Sequence, residues 1–437
     1  MDPDELVFHP WVRQGPRNVP TFVGGSGSHV VDADGRRFLD FSSQLVFANL
    51  GHQHPRIVAA IKAQADRLCT LAPSHASDIR GEAAQMVVDV APAGLGHVLF
   101  TTSGTEAVEH AVRMARLHTK RPKVLAAYRS YHGSTTTSIH LTGDPRRWAS
   151  DTGAAGVVHF FGPFLYRSAF GAATEEEERD RALAHLEQVI LLEGPSTIAA
   201  LVLEPVTGSS GVIVPPPGYL RGVRELCSRH GIVFIADEVL VGFGRTGAWF
   251  AVDHDGTAPD LLTFAKGVNS GYVPLGGVLV GDLVYRTFTE AAYPAGLTYS
   301  GHPLACAAAV GALRAMHDEG TVAAAARLGA AVLGPGLDGL AAGHPSVGDV
   351  RGIGALWTLE LVRDRQEQTP LVPPGATGEA NAPMAAFMQA CRDRGLLTLV
   401  LGNRVHIAPP LNASDADAAA GLAVLDEALA VADAFVS

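Results

Sequence analysis

The segment Leu261-Leu262-Thr263-Phe264-Ala265-Lys266-Gly267 carries a lysine directly after an apolar run and directly before a glycine. A second apolar run, Ile232–Ala236, leads in the same way into Asp237. A lysine removed from water is costly unless its pKa falls or its amine forms a bond. A lysine that attacks a carbonyl, and an aspartate that pairs with a protonated ring nitrogen, would both suit these places.

The same two residues also have an ordinary interpretation. A lysine at a strand end can extend its amine to water, and an aspartate there can cap the helix that follows. For a lone lysine this is the commoner case, because most lysines are exposed. The choice between the two interpretations therefore depends on the rest of the chain.

The composition indicates a chain with a large core. Its 437 residues are 47% hydrophobic and 18% charged, and this length suggests about two or three domains. The net charge of −11 argues against nucleic acid and anionic membranes as partners. The four cysteines have no disulfide or zinc spacing, and the glycine-bounded turn at His52 and His54 explains that pair better than a metal site. With no signal-peptide pattern and no apolar run of membrane-spanning length, we expect a cytoplasmic protein without a metal.

The middle of the chain alternates helical periodicity with short apolar runs, which favours a parallel sheet with crossover helices. Residues 30–40 predict a hairpin that turns at Asp34-Gly35. A smaller α+β domain follows, with alanine-rich helices and a strand over 350–360. We expect residues 1–60 to pack with this small domain, a large domain over 61–310 and the small domain over 311–437. The predicted strands of the large sheet are 97–101, 123–128, 200–204, 232–236, 261–264 and 277–280.

Two further motifs follow predicted strands. Ser103, Gly104 and Thr105 lie where a helix begins, and the free N–H groups and positive dipole of such a turn can bind phosphate. Tyr131 follows the next strand, where an aromatic ring can stack on a flat heterocycle. Simple helix capping and a tyrosine at the core edge are the alternatives.

Taken in order, these motifs resemble the class III aminotransferases, which act on amines and omega-amino acids. The resemblance spans nearly the whole chain, from Gly51-His52 to Pro409-Pro410. It implies the type I pyridoxal-phosphate fold: a mostly parallel central sheet with helices on both faces, plus a smaller α+β domain. The motifs that carry it are Ser103–Ala107, Tyr131–Gly133, Glu204–Val206, Asp237–Val239, Gly242–Gly247, Lys266-Gly267 and Thr298–Pro303.

The resemblance also implies a role for each matching position. Lys266 would carry pyridoxal 5'-phosphate as a Schiff base and later move a proton, while Asp237 would hold the ring nitrogen protonated. Val239 and Tyr131 would lie on the two ring faces. Ser103, Gly104 and Thr105 would hold the phosphate, and Thr298 would reach the phosphate of a neighbouring subunit, so that a homodimer is the smallest active unit. Glu204 would order the network around Tyr131 and His132.

The positions near the substrate depart from the family's better-known branches. Ser209 stands where the ornithine and 4-aminobutyrate branch has a glutamate, and Leu240 stands where that branch has a glutamine. The arginine that binds a carboxylate in many amine:pyruvate members would fall on Leu399, so Arg404 is the candidate for that role; a surface-paired strand arginine is the alternative. Val46 or Phe47 aligns with an aromatic pocket residue of that branch.

The resemblance implies ping-pong transamination from an amine or omega-amino acid to a keto acid such as pyruvate or 2-oxoglutarate. An aminomutase or a decarboxylase shares the scaffold, and cofactor-binding motifs do not separate these reactions. A non-catalytic relative of the fold is the remaining alternative, against which the intact Lys266, Asp237 and phosphate turn argue.

Overall fold

The computed structural model describes residues 6–15, 19–150 and 156–436. The strands are β1 (Phe22–Ser26), β2 (His29–Asp32), β3 (Arg37–Asp40), β4 (Leu95–Thr101), β5 (Lys123–Ala127), β6 (Val157–Phe160), β7 (Ile198–Leu203), β8 (Val233–Asp237), β9 (Leu261–Phe264), β10 (Gly276–Gly281), β11 (Val347–Ile353), β12 (Leu356–Asp364), β13 (Thr369–Pro370), β14 (Leu396–Leu397), β15 (Leu399–Leu401) and β16 (Arg404–Ile407). The helices are α1 (Ser43–Val46), α2 (Pro55–Arg67), α3 (Asp78–Asp89), α4 (Gly104–Thr119), α5 (Thr136–Leu141), α6 (Glu175–Glu193), α7 (Tyr219–His230), α8 (Asp282–Glu290), α9 (Pro303–Asp318), α10 (Thr321–Leu328), α11 (Gly334–Gly343), α12 (Ala382–Asp393) and α13 (Asp415–Asp433).

A seven-stranded sheet in the order β4-β10-β9-β8-β7-β5-β6 forms the centre of the molecule. Every pairing is parallel except the two that β10 makes, with β4 and β9. The six predicted strands of this sheet are confirmed to within two residues at each end. Strand β6 is an addition that the sequence analysis did not predict. Because β8 and β9 run parallel side by side, their carboxyl ends bring Asp237 and Lys266 to one edge.

Alternate residues of each central strand enter two different hydrophobic clusters. In β7, Leu201 and Leu203 belong to one cluster, and Ala200 and Val202 belong to the other. Helix α4 covers the second face, while α6, α7 and α9 contribute to the first. This is why the strands have apolar runs without alternation: both faces are buried.

Two smaller sheets accompany the central one. The antiparallel sheet β11-β12-β16-β15, with β13 on β12, packs with α11, α12 and α13 around a core of its own. The sheet β1-β2-β3-β14 contains the predicted hairpin, and Gly35 supplies its positive φ of 81°. Strand β3 pairs in parallel with β14. That pairing supports the prediction that residues 1–60 pack with the small domain, and the boundaries at 60 and 310 stay predictions.

One predicted element is corrected. Residues 350–360 are not a single strand but parts of β11 and β12, which form an antiparallel hairpin through Gly354-Ala355. Gly354 has a φ of +58°, a value that a residue with a side chain rarely adopts. Two long helices have clear N-terminal caps: Thr174 caps α6 by accepting the N–H of Glu177, and Ser414 caps α13 by accepting the N–H of Asp417.

The histidines that were weighed as metal ligands have other partners. His52 Nε2 lies 2.8 Å from Asp40 Oδ2, and His54 Nε2 lies 3.2 Å from Glu319 Oε2. In the described parts of the chain, no single helix is long and apolar enough to cross a membrane; α9 with the segment Thr321–Gly343 reaches that length and composition only as a pair bent by 62°.

We predict that Gly354→Ala destabilises the protein by about 2–4 kcal/mol, because strain and overpacking add. A Cβ at Gly354 would lie 2.3 Å from the backbone carbon of Thr246, which cannot move aside as a flexible side chain would. Urea denaturation monitored by tryptophan fluorescence measures the change. Gly339→Ala is the control, since a Cβ there meets nothing within 4 Å and should gain about 0.5–1 kcal/mol in a helix. Equal stability of the two variants would contradict the prediction.

Candidate active site

A cavity of about 620 Å³ opens at the carboxyl edge of the central sheet. Most of the residues singled out from the sequence line it, although they come from separate strands and loops. Three do not: Phe47, Thr298 and Arg404. The predicted residues that line the cavity are Val46, Ser103, Gly104, Thr105, Tyr131, His132, Glu204, Asp237, Val239 and Lys266.

Lys266 extends into this cavity from the end of β9. Its removal from water lowers the pKa of its amine to about 8; the charges of Glu204 and Asp237 oppose that fall, and Arg146 and Arg245 add to it. Among the described residues, Lys266 Nζ has neither a hydrogen-bond acceptor nor an ion-pair partner. A snorkelling lysine would keep its ordinary pKa and reach water. The geometry instead favours an amine that is kept partly neutral and available to react.

Asp237 is the buried last residue of β8. Its Oδ2 accepts a hydrogen bond from His132 Nδ1 at 2.6 Å, and its Oδ1 accepts from Thr263 Oγ1 at 3.0 Å and Val239 N at 3.2 Å. Burial lowers the pKa of His132, but the hydrogen bond and charge of Asp237 outweigh burial, so that the pKa is raised. Three donors thus fix a buried carboxylate that lines the cavity, an arrangement suited to a cationic ring N–H.

The phosphate turn lies at the start of α4. Ser103 caps the helix, since its Oγ accepts the N–H of Glu106 at 3.3 Å. The capping interpretation is therefore correct for this side chain. The first N–H groups of a helix nevertheless have no partner within it, and Gly104 and Thr105 both line the cavity. A Cβ at Gly104 would lie 2.6 Å from Val239 Cγ1. Glycine is required there because Val239 packs directly against the turn.

Glu204 and Tyr131 form another part of the wall. Glu204 Oε1 accepts the N–H of Tyr131 at 2.9 Å, and its Oε2 accepts the N–H of Gly208 at 2.8 Å. Burial raises the pKa of Glu204, although His132 opposes the shift. The guanidinium carbon of Arg146 lies 3.7 Å from the centre of the Tyr131 ring, and the ring of Trp11 meets Tyr131 edge-on at 6.3 Å.

Several lining residues were missed by sequence reasoning. Trp11 comes from the N-terminal arm, Leu45 from the turn α1, Arg146 from the loop after α5, and Leu401 from the small domain. None of them follows a strand of the central sheet, which was the signal that identified the others. Only the folded chain brings these loops together, so no local spacing in the sequence identifies these four residues.

The three residues outside the cavity have other surroundings. Phe47 packs against the backbone of Gly271, where a Cβ would lie 2.4 Å from its ring. Thr298 is exposed on a turn. Arg404 donates from Nη1 to the carbonyl of Ser210 at 2.8 Å and from Nε to that of Leu401 at 3.1 Å. Its position therefore does not support the predicted contact with substrate.

The lining residues fit pyridoxal phosphate group by group. An amine of lowered pKa suits the aldehyde, a fixed buried carboxylate suits the ring nitrogen, and a helix N-terminus crowded by Val239 suits the phosphate. The mostly parallel sheet, the smaller domain and this site define a pyridoxal-phosphate enzyme of the type I fold.

Comparison with known proteins gives the family. The family model for class III aminotransferases matches residues 14–429. The chain belongs to this family: it is a transaminase that depends on pyridoxal 5'-phosphate and moves amino groups to keto acids.

Relatives of several specificities are similar to the chain. Putrescine–pyruvate aminotransferase of Pseudomonas aeruginosa is 34% identical, and the alignment covers 88% of this chain and 85% of that protein. The 4-aminobutyrate aminotransferase GabT of Escherichia coli is 36% identical, and the alignment covers 91% of this chain and 90% of that protein. A solved structure of taurine:2-oxoglutarate aminotransferase from Bifidobacterium kashiwanohense, in complex with PLP and glutamate, is 39% identical and covers 98% of this chain and 96% of its own with a TM-score of 0.94.

We predict that the cofactor-free protein captures added pyridoxal phosphate at a rate that rises with pH and has its midpoint near pH 8, where Lys266 loses its proton, rather than near the ordinary 10.5. Only the neutral amine attacks the aldehyde. Stopped-flow growth of visible absorbance measures the initial rate. In Asp237→Asn the midpoint should move lower, because that variant removes a negative charge that raises the lysine pKa. A wild-type rate that keeps rising to pH 10 would contradict the lowered pKa.

Proposed function

We propose that this transaminase takes the amino group from an amine or omega-amino acid and passes it to pyruvate or 2-oxoglutarate in a ping-pong sequence, with Lys266 as the reacting amine. The observation that carries the proposal is the pairing, in one cavity, of an amine of lowered pKa with a buried and fixed carboxylate. Neither the lysine nor the aspartate alone would indicate a transaminase reaction. Together they match what a carbonyl cofactor with a ring nitrogen needs.

Pyridoxal phosphate, when bound, supplies an aldehyde for covalent attachment of amines and a ring that withdraws electrons. Lys266 Nζ would hold this group, and once freed by a donor amine it would be the base that takes a proton from the donor carbon. A pKa near 8 suits both duties, because the amine accepts and returns a proton near neutral pH. Asp237, held by His132 and Thr263, keeps the ring nitrogen protonated.

The remaining predicted contacts are proposed on position. Ser103, Gly104 and Thr105, at the start of α4, would hold the phosphate, and Val239, which packs against Gly104, would contact one face of the ring. Tyr131 would contact the other face, and Glu204 fixes the backbone of Tyr131 by accepting its N–H.

The substrate pocket is proposed to be apolar on most of its walls. Val46 belongs to it, whereas Phe47 supports the same loop from behind. The loop is held in a strained conformation, since Ser43, Gln44 and Val46 all have φ between 45° and 62°. Apolar walls favour donors with an alkyl or aryl body. The other apolar lining residues are Trp11, Leu45, Leu240, Leu399 and Leu401.

The comparisons leave the donor and acceptor open. The similar proteins include one named for pyruvate, one named for 4-aminobutyrate and one named for 2-oxoglutarate. A panel of amine donors against pyruvate and 2-oxoglutarate decides among them. Release of carbon dioxide, or rearrangement without a keto acid, would instead indicate the decarboxylase or aminomutase chemistry that the scaffold also permits.

The proposed active unit is a homodimer, and its proposed location is the cytoplasm. Thr298 is exposed and lies outside the cavity of its own subunit. It would complete the phosphate site of a partner across an interface between two copies, as the family resemblance implies.

We predict that Lys266→Ala abolishes both turnover and the visible absorbance of the lysine-bound cofactor. The variant removes the one amine that can hold the aldehyde covalently. Absorbance spectra of the purified protein and an amino-transfer assay with pyruvate measure the two losses. Lys62→Ala, an exposed lysine of α2, is the control and should keep both properties. Retention of either property by Lys266→Ala would show that Lys266 is misassigned.

We predict that a hybrid dimer of a Lys266→Ala subunit and a Thr298→Glu subunit is active, although each homodimer is not. If Thr298 serves the partner, one of the two sites in the hybrid has both an intact lysine and an intact threonine. Hybrids isolated with two affinity tags and assayed for amino transfer give the answer. An inactive hybrid would place Thr298 in its own subunit's site, whereas an active Thr298→Glu homodimer would remove Thr298 from the phosphate contact.

A further inference from the structure

Arg146 is a cavity-lining cation that none of the motifs accounts for. It lies in the turn Pro145–Arg147, directly after Asp144, which caps that turn by accepting the N–H of Arg146. Its guanidinium carbon lies over the Tyr131 ring, 3.7 Å from the ring centre. Stacking and capping together hold the planar group in one orientation.

The donors of this guanidinium are only partly used. Nε donates to Asp144 Oδ2 at 2.9 Å, and Nη2 is shared between Asp144 Oδ2 and Ser209 Oγ, the latter at 2.7 Å. Nη1 donates to no residue in the described ranges. The side chain is 26% exposed, so this donor is open to a molecule in the cavity.

The surroundings make this donor the natural partner of an acid group. Apart from Lys266, Arg146 is the one lysine or arginine among the residues lining the cavity. Arg404, the other candidate, does not line the cavity, and its Nη1 and Nε donate to the carbonyls of Ser210 and Leu401. Ser209 is a neutral partner, so only Asp144 balances the charge of Arg146. That charge also reaches the reacting amine, since Arg146 contributes to the lowered pKa of Lys266.

An acid group in this cavity has little else to bind. Seven of the lining side chains are large and apolar, and a carboxylate buried among them without a charged or hydrogen-bonding partner would be costly: Trp11, Leu45, Val46, Val239, Leu240, Leu399 and Leu401. Charge-assisted hydrogen bonds from a planar guanidinium fit carboxylate and sulfonate oxygens alike. The rigid stack on Tyr131 further reduces the entropy lost when the contact forms.

We propose that Arg146 binds the acid group of the substrates, a carboxylate or sulfonate, and so selects keto acids as acceptors. The proposal rests on the proposed transaminase reaction and assigns the acid-binding role to Arg146 in place of Arg404. In this role Arg146 donates to the acid group from Nη1. Nη2 donates to it as well when it gives up its hydrogen bond to Ser209, while Asp144 keeps the guanidinium in place.

The test compares Arg146→Met and Arg146→Lys with Arg147→Met, a neighbour on the same turn that does not line the cavity. The first readout is binding of glutarate, an unreactive dicarboxylate, to the cofactor-loaded protein by calorimetry. The second is kcat/KM for pyruvate and 2-oxoglutarate relative to butanal, an acceptor without an acid group. We expect Arg146→Met to lose about 10- to 100-fold in both glutarate affinity and keto-acid preference. Arg146→Lys should lose less, and Arg147→Met should match the wild type.

The outcomes separate the possible failures. Unchanged glutarate affinity and unchanged keto-acid preference in Arg146→Met, with transamination intact, would overturn the proposal. Loss of the visible cofactor absorbance in that variant would also overturn it, because Arg146 would then position the cofactor through Tyr131. A wild type that transfers no amino group to any acceptor would refute the proposed function, while glutarate binding would still test Arg146. Repeating the donor half-reaction with acidic and acid-free amines shows whether Arg146 serves the donor as well.

Discussion

The structure depends on keeping an amine and a carboxylate out of water without letting them neutralise each other. Lys266 and Asp237 end neighbouring parallel strands, yet the carboxylate is occupied by His132, Thr263 and the N–H of Val239. An ion pair between the two would have been the simplest way to reduce the cost of burial. Engaging the aspartate with other donors instead leaves the lysine with a lowered pKa and a free amine.

The sheet explains how this cost is sustained. Its strands are apolar on both faces, and a large hydrophobic cluster packs against each face. Such a scaffold leaves the loops at the carboxyl edge little conformational freedom. Backbone strain is visible in these loops as positive φ values at Lys266, Ser43 and Val46. Strain of this kind persists only where the surrounding packing fixes it.

Residues at the ends of the sheet strands could be predicted from the sequence, whereas residues that reach the site from distant loops could not. Lys266, Asp237 and the turn at Ser103 each lie at the end of a strand or within two residues of it, so a local pattern identifies them. Trp11 and Arg146 come from loops whose positions depend on distant packing, and no spacing marks them. Arg404 follows a strand pattern too, but it lies opposite Leu401 in the β15–β16 pairing and its guanidinium donates to carbonyls, so a substrate role for it stays a prediction without support from its position. A contact across two copies, as proposed for Thr298, depends on packing between chains and has no local signal within one.

The parallel pairing of β3 with β14 joins Leu39 to Leu396. During synthesis at about 5–20 residues per second, the first hairpin therefore waits roughly 20–70 s for the strand that completes its sheet. Throughout that time the edge of β3 is an open template for other chains. The sheet begun by the first hairpin is therefore complete only after most of the small domain has been synthesised.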